Sequence, residues 1–182
     1  TIRSKLLLED IVQMTVRGYR AASYSITKNS LWALDILAEA GFVYDSSIFP
    51  VRHDRYGIPD AIEVPHQLKT PKGHSLVEFP LSTAKIFKYK LSIAGGGYFR
   101  LYPYSLTKAG LGQINRRQQP FIFYLHPWEI DPQQPKIEAG WFSRFHHYNN
   151  LHRCEHRLKR LMDDFEFTSC WGVLAELGLG DD

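Results

Sequence analysis

The chain has 182 residues, of which 44% are hydrophobic and 23% charged, a composition that is typical of a globular domain with its own core and excludes a disordered segment. The net charge of +3 gives little electrostatic support for nucleic-acid binding, and no run approaches the roughly 18 apolar residues of a membrane span. The two cysteines, Cys154 and Cys170, form neither a disulfide framework nor a zinc ribbon, so they leave the cellular compartment open.

The first quarter of the chain predicts two helices, each followed by a short strand. Apolar residues at close to helical spacing predict a helix over residues 2–14, an opening that is not typical of a secretory signal. We expect strands at 16–20 and 42–45, and between them a helix from the capping residues at 27–30 to Ala40, which Gly41 stops. Because no strand precedes the first helix, further chain is expected upstream.

The middle of the chain is rich in proline and glycine. Residues 50–74 contain four prolines and predict a long irregular loop, of a kind that is usually functional. Short strands are expected at 76–80 and 84–93. The triple glycine at 95–97 permits close backbone approach or a positive φ, but it lacks the phosphate-loop patterns, and we expect no helix directly after it.

The last third is organised around five apolar residues at 121–125, which predict a buried strand of the kind found in parallel sheets. Pro127 ends this strand, so His126 is expected at its carboxyl end. We expect helices at 103–117, 149–165 and 171–177, a loop at 127–148 and a short strand at 167–170. Strands that alternate with helices predict about four parallel βαβ units, whereas a complete (β/α) barrel takes roughly 250 residues. The predicted fold is therefore α/β, the later part of a barrel in a single domain over residues 1–182.

Three polar residues each follow an apolar strand at its carboxyl end: Arg20, Asp45 and His126. A parallel sheet brings such ends to one rim, so the three side chains can converge there. A histidine beside a carboxylate and an arginine is a workable acid–base set for hydrolysis. Taken singly, the histidine could cap a strand, the arginine could lie on the surface and the aspartate could belong to a turn.

Other candidates are weaker. His152 and His156 have the spacing of two metal ligands on one helix face, but they lie among cations away from the apolar stripe, so we interpret them as part of a solvated basic face. The adjacent His146 and His147, in the predicted loop, are interpreted in the same way. Two segments mix charge with aromatic rings, which suits sugar recognition as well as any exposed loop: residues 52–56, with His53, and residues 98–100, with Tyr98 and Arg100.

Five motifs in this order resemble the polysaccharide deacetylases of the NodB-homology family, in particular the branch associated with bacterial exosortase and exopolysaccharide loci. They are GYRAAS at 18–23, FVYDSSIFP at 42–50, RHDRYGIP at 52–59, GGGYFR at 95–100 and YLHPWEIDP at 124–132. The resemblance covers nearly the whole chain. It implies a distorted (β/α) barrel that removes N-acetyl groups from a sugar polymer with a divalent metal, usually zinc.

The resemblance also implies roles for individual residues. His126 matches the general acid that protonates the leaving amine, and Leu125 matches a wall of the pocket for the acetyl methyl group. Arg20 matches the arginine that orients the catalytic aspartate, Ser23 falls where a backbone N–H helps to hold the oxyanion, and Asp45 matches the acidic position of the fourth motif. Trp128, Tyr98, Arg100 and His53 complete the expected substrate-binding set.

The sequence departs from that family in what precedes Gly18. The family's base aspartate, metal-binding aspartate and metal-binding histidines all lie upstream of the matching segment, and residues 1–17 contain neither motif; Ala22 also stands where proline is usual. We therefore expect the carboxyl-terminal part of a deacetylase that acts on an N-acetylated polysaccharide, inactive alone and marginally stable because its sheet edges are exposed. The alternative is a non-catalytic carbohydrate-binding or assembly protein derived from this fold. Neither nucleic-acid binding nor a membrane span is expected.

Overall fold

The computed structural model describes residues 1–53, 56–86, 89–136, 138 and 140–180. Within these ranges a helix, a short strand and a second helix come first, five consecutive short strands follow, and the other five α-helices come last. The helices are α1 (Ile2–Val12), α2 (Trp32–Glu39), α3 (Gly96–Leu101), α4 (Tyr104–Asn115), α5 (Trp141–Tyr148), α6 (Leu151–Asp164) and α7 (Cys170–Glu176). The strands are β1 (Gly18–Tyr19), β2 (Tyr44–Asp45), β3 (His66–Lys69), β4 (Ser75–Glu78), β5 (Thr83–Ile86) and β6 (Tyr89–Ser92).

The strands form two open sheets. One has the order β1-β2-β4-β3, in which β1 and β4 run parallel to β2 and β3 runs antiparallel to β4; the other is the antiparallel pair β5-β6. The α/β class is confirmed, and the described part of the chain forms no closed barrel. The chain divides into two compact units, residues 1–81 with 168–182 and residues 82–167.

The first unit has its core between α2 and β4. The core includes Ile26, Leu34, Leu37, Phe42 and Leu76, each of them almost fully buried. The predicted stop of α2 is confirmed, since Gly41 takes a φ of +76° just after the helix. The predicted capping residues instead cap a 3₁₀ turn, Lys28–Ser30, that precedes α2: the Thr27 N–H donates to the hydroxyl of Ser30.

The prediction of an irregular loop over residues 50–74 is wrong at 66–69. These four residues are β3, and β3 pairs antiparallel with β4. The strand fits between Pro65 and Pro71, an interval in which every backbone N–H is available to a sheet ladder. The prolines therefore bound the strand instead of preventing it.

The predicted first helix is present as α1, but its apolar side chains lie in solvent. Leu6, Leu7 and Ile11 are all more than half exposed, whereas Lys5 is buried. The Lys5 ammonium pairs with Glu9, 2.5 Å away, and Glu9 also accepts a hydrogen bond from the next segment of the chain. The buried face of α1 is thus its charged one. No helix among the described residues is long and apolar enough to cross a membrane.

In the second unit, α6 packs against α3, α4 and the 3₁₀ turn Pro127–Ile130. The buried centre contains Ile93, Phe99, Leu111, Cys154 and Leu161. Both cysteines are free in the structure.

The backbone of Gly95 lies directly against Tyr124. Gly95 has a φ of +122°, and a Cβ at this position would lie 1.7 Å from the Tyr124 carbonyl oxygen. The positive φ and the close approach expected of the triple glycine are confirmed. The expectation that no helix follows is wrong, since α3 begins at Gly96.

Three further predictions in the last third are wrong. Residues 121–125 form no ladder: the pairing within the described residues is a single parallel bridge between Gly95 and Tyr124, although Ile122 is buried. The predicted loop at 127–148 contains α5. The predicted strand at 167–170 is absent, because Ser169 caps α7 by accepting a hydrogen bond from the Gly172 N–H.

We expect the two cysteines to differ in reactivity. Cys154 is fully buried, and burial raises the pKa of its thiol to about 11, which lowers its thiolate fraction by about two orders of magnitude near neutral pH. A thiol reagent should therefore modify only the half-buried Cys170 in the native chain and both thiols after denaturation. Rapid labelling of a native Cys170→Ser variant would show that the second unit is not packed as described.

Candidate active site

Two of the predicted site residues lie at one rim of the first sheet. The parallel pairing of β1 with β2 places Tyr19 opposite Asp45, so Arg20 emerges beside the end of β2. The Arg20 guanidinium donates to the Ser46 carbonyl oxygen at 3.0 Å and to the Ser46 hydroxyl at 2.8 Å. His126 belongs to the other unit, so its convergence with this pair stays a prediction.

Asp45 is enclosed by protein. Its side chain has no exposed surface, and its two oxygens accept hydrogen bonds from the Ser47 hydroxyl, at 2.6 Å, and from the Ser47 N–H, at 3.1 Å. The same hydroxyl accepts a hydrogen bond from the Ala21 N–H at 2.7 Å. Asp45 therefore holds together the two loops that follow β1 and β2.

A second carboxyl group, Glu78 at the end of β4, pairs with Asp45 in the sheet register and is also fully buried. One Glu78 oxygen accepts from the Ile48 N–H at 3.0 Å, and the other, Oε2, accepts no hydrogen bond from a described residue. Burial and the neighbouring Asp45 raise the pKa of Glu78 well above its usual range, and burial raises the pKa of Asp45. We therefore expect Glu78 to be the protonated member of this pair and to donate its O–H to the neighbouring Asp45 carboxylate.

Glutamine at position 78 is expected to stabilise the chain at high pH. The folded state holds the Glu78 proton more tightly than the unfolded chain does. Protonated Glu78 therefore adds to the free energy of unfolding in full below about pH 4, and this contribution is lost as the pH rises through the raised pKa of Glu78. Glutamine keeps a donor toward Asp45 and does not titrate. The free energy of unfolding of Glu78→Gln should exceed that of the parent by about 1–3 kcal/mol near pH 9, with little difference near pH 4.

Urea unfolding across this pH range measures the effect, with the exposed Glu176→Gln as the matched control. If the free energies of unfolding of Glu78→Gln and of the parent change with pH in the same way, Glu78 does not hold a proton against Asp45.

The other predicted ligand-contacting residues of the first unit lie at the surface. Ser23 is exposed and adopts left-handed backbone angles, φ 56° and ψ 22°, in the turn after β1. Strain of this kind in a residue other than glycine is common at functional sites. His53 is exposed, and its ring stacks on Tyr56 with centroids 3.8 Å apart. Asp54 and Arg55, in the same predicted segment, lie outside the described residues.

The second unit contains a chain of three ionisable side chains that begins at His126. The imidazole Nδ1 lies 3.0 Å from the Glu129 carboxylate, whose other oxygen accepts from the Arg100 Nε at 2.7 Å. His126 has 44% of its side chain exposed, whereas Glu129 and Arg100 have 0% and 1%. The Arg100 guanidinium also donates to the carbonyl oxygens of His147 and Asn149. A buried ion pair thus supports an imidazole that solvent can reach.

Aromatic rings surround this imidazole. The Tyr124 hydroxyl makes a short hydrogen bond with His126 Nε2, and the Trp128 indole is nearly parallel to the imidazole with centroids 5.3 Å apart. The ring of His147, in α5, stacks on Trp128 at 4.0 Å. With Nδ1–H donating to the Glu129 carboxylate, Nε2 is the nitrogen that could exchange a proton with a ligand, and the ligand would have to displace the Tyr124 hydroxyl that bonds to Nε2 here.

The other predicted site residues of the second unit differ in how they lie relative to His126 and its neighbours. Leu125 is half-buried against the apolar core of the unit, and the half-buried Tyr98 ring packs against Tyr102 at 5.7 Å. Arg100 was expected to bind substrate, but its guanidinium is enclosed and bonded to Glu129 and to backbone carbonyls. The structure therefore gives Arg100 a positioning role.

The described residues do not fit a resident metal. They include no cluster of three His, Cys, Asp or Glu side chains that could hold an ion. His152 and His156 are both exposed, and His152 accepts a hydrogen bond from the neighbouring Arg153.

Sequence reasoning missed three side chains around His126: Glu129, Tyr124 and His147. Glu129 had a local signal, since a carboxylate three residues after the start of a helical turn commonly bonds back to the first N–H, as it does here with the His126 N–H at 3.2 Å. His147 was interpreted as part of a solvated loop. Its stacking on Trp128 depends on the tertiary position of α5 and has no local signal.

A model of a protein family described as a domain of unknown function, DUF3473, matches residues 46–175. The match includes His126, Glu129, Arg100 and both tryptophans of the second unit. No curated protein and no solved structure matches the chain.

Proposed function

We propose that this chain, which belongs to the family of the domain of unknown function DUF3473, is the part of a bacterial polysaccharide deacetylase that supplies the general acid. The observation that carries the proposal is the hydrogen bond between the half-exposed His126 and the fully buried Glu129. The ordered motifs that resemble the NodB-homology family support the same reaction class.

In the proposed reaction, water adds to the carbonyl carbon of an N-acetyl group, and the C–N bond then breaks. The leaving nitrogen needs a proton at that moment, because an amine anion is a very poor leaving group. The imidazolium of His126 gives this proton from Nε2, and the products are the free amino sugar and acetate. The proton lost by the attacking water goes to a base outside this chain.

Glu129 and Arg100 act through His126 in this scheme. The Glu129 carboxylate stabilises the imidazolium before proton transfer and fixes the ring orientation through Nδ1. The Arg100 guanidinium compensates the buried carboxylate and holds it in place. The half-buried Trp128, stacked on the His147 ring, forms an aromatic wall beside the imidazole against which a sugar can pack.

Activation of the water is assigned to groups outside the described residues. The divalent metal implied by the resemblance would be bound there as well, since the described residues offer no cluster to hold it. This chain alone is then expected to bind an oligosaccharide without hydrolysing it.

Acetate release from N-acetylated oligosaccharides tests the proposal. It should be measured with added zinc on the protein that carries this chain together with its upstream residues, and on this chain alone. Zinc-dependent acetate release by the longer protein only is the expected result. Oligosaccharide binding with no acetate release by either would favour the non-catalytic alternative, and rapid turnover by this chain alone would refute the division of roles.

A further inference from the structure

A groove of about 480 Å³ lies on the second unit along one side of α5. This volume falls within the range of sites that bind small ligands or single sugar units. The groove is lined by Lys136, Trp141, Arg144, Phe145 and Tyr148.

The groove exposes aromatic surface to an unusual degree. Trp141 has 78% of its surface in solvent and Phe145 has 49%. Four residues apart on α5, they lie on one helix face, with ring centroids 6.0 Å apart and planes inclined by 18°. Large aromatic side chains are seldom left this exposed unless they meet a partner. The two rings stack on each other, and the exposed outer face of this stack suits a ring-shaped ligand.

Among the described residues, both charged side chains that line the groove are cationic. Lys136 and Arg144 are exposed, and neither forms an ion pair with a described residue. Cations placed at the edges of an aromatic surface favour a ligand that combines a ring with a negative charge.

The groove is connected to His126 by adjoining rings. Tyr148, which lines the groove, contacts the His147 ring at 4.6 Å, His147 stacks on Trp128, and Trp128 lies beside His126. The groove and the imidazole therefore belong to one continuous set of ring contacts within the second unit.

We infer that this groove binds an acidic sugar residue, such as a uronate, of a polysaccharide chain. Trp141 and Phe145 stack on the sugar ring, and Arg144 and Lys136 pair with its carboxylate. That an N-acetylated sugar of the same polymer reaches His126 rests on the proposed function. Binding of the acidic sugar in the groove does not depend on it. A single-stranded nucleic acid also combines rings with charge, but two cations are far fewer than the basic groove that tracks such a backbone.

Calorimetric titration of the full chain with oligogalacturonate tests the inference, with neutral chitin oligosaccharides of the same length and single-stranded DNA as comparisons. Oligogalacturonate should bind more tightly than either. Trp141→Ala should weaken its binding by about tenfold and Arg144→Gln by about fivefold. The matched controls are Trp32→Ala and Arg117→Gln, which remove the same exposed side chains away from the groove and should leave the affinity within about twofold.

Several results would overturn the inference: equal affinity for acidic and neutral oligosaccharides, tighter binding of DNA, or equal losses in Trp141→Ala and Trp32→Ala. Acetate release by the longer protein, measured in parallel, separates this site from the proposed function. Binding of oligogalacturonate without acetate release would contradict the proposed function but would support the groove as a site for an acidic sugar. The opposite result would contradict the groove alone. In that case acetate is released, its KM is unchanged by Trp141→Ala and Arg144→Gln, and no oligogalacturonate binding is detected.

Discussion

Glutamine in place of His126 is expected to lower the turnover number for acetate release by about 10²–10⁴-fold, the usual contribution of a positioned acid–base group. Glutamine can still donate a hydrogen bond to Glu129, but it has no proton to give to the leaving amine. KM should change little, because the rings beside residue 126 remain. The measurement is steady-state acetate release by the protein that carries the upstream residues, with His156→Gln as the control for loss of an exposed histidine.

A second substrate separates proton donation from a structural role. The phenolate of an aryl acetate leaves without protonation, so His126→Gln should slow its hydrolysis far less than hydrolysis of the N-acetyl sugar. Equal losses on both substrates would contradict the assignment of His126 as general acid. Thermal unfolding of the variant should match that of the parent, because the side chain is nearly half exposed.

Alanine in place of Glu129 is expected to destabilise the chain by about 3–5 kcal/mol, because it leaves the Arg100 guanidinium buried without a counter-charge. It also removes the acceptor of two hydrogen bonds from His126. Glutamine at position 129 keeps the shape and an acceptor, and it should cost about 1–3 kcal/mol. Urea unfolding measures both losses.

An exposed pair provides the matched control for this variant. Glu155 pairs with Lys159 on α6 at 2.7 Å, the same separation as the Arg100–Glu129 pair, but both side chains are more than half exposed. Glu155→Ala should therefore cost less than about 1 kcal/mol. If Glu129→Ala costs no more than Glu155→Ala, the ion pair is not buried as described. In a double-mutant cycle, Arg100→Met should recover part of the loss in Glu129→Ala, since it removes the uncompensated charge.

The helices were the most predictable part of the fold, because their signals are local. The helices predicted at 103–117 and 149–165 are observed as α4 and α6 with ends within two residues. Apolar spacing marked each buried face, and proline or capping residues marked the ends.

The strands were less predictable, because a strand needs a partner that the local sequence does not specify. The five apolar residues at 121–125 correctly signalled burial, but a ladder also needs a neighbouring strand with free backbone groups. Here the chain touches the Gly95 backbone at Tyr124. The helix α5 was missed although Trp141, Phe145 and Tyr148 stand at helical spacing, because it is only eight residues long and follows a segment that contains several prolines and a glycine.

The candidate site could be predicted in part. The position of His126 followed from the proline after it, and Glu129 lay in the same motif with a recognisable spacing. Arg100 is 29 residues from Glu129 in sequence, and it reaches the carboxylate only because α3 packs on α6 in the folded unit. Proximity of that kind is decided by tertiary packing, which no window along the chain can show.

The contact between Gly95 and the Tyr124 carbonyl restricts which mutations the chain can accept. Every single-base change that alters a glycine codon's meaning yields either a stop codon or a residue with a Cβ, and a Cβ at this position would overlap the backbone of the segment that leads to His126. In a random-mutagenesis library sorted for soluble, folded clones, codon 95 should therefore be recovered almost exclusively as glycine, whereas the codon for Gly140, where a Cβ meets open space and φ is negative, should vary.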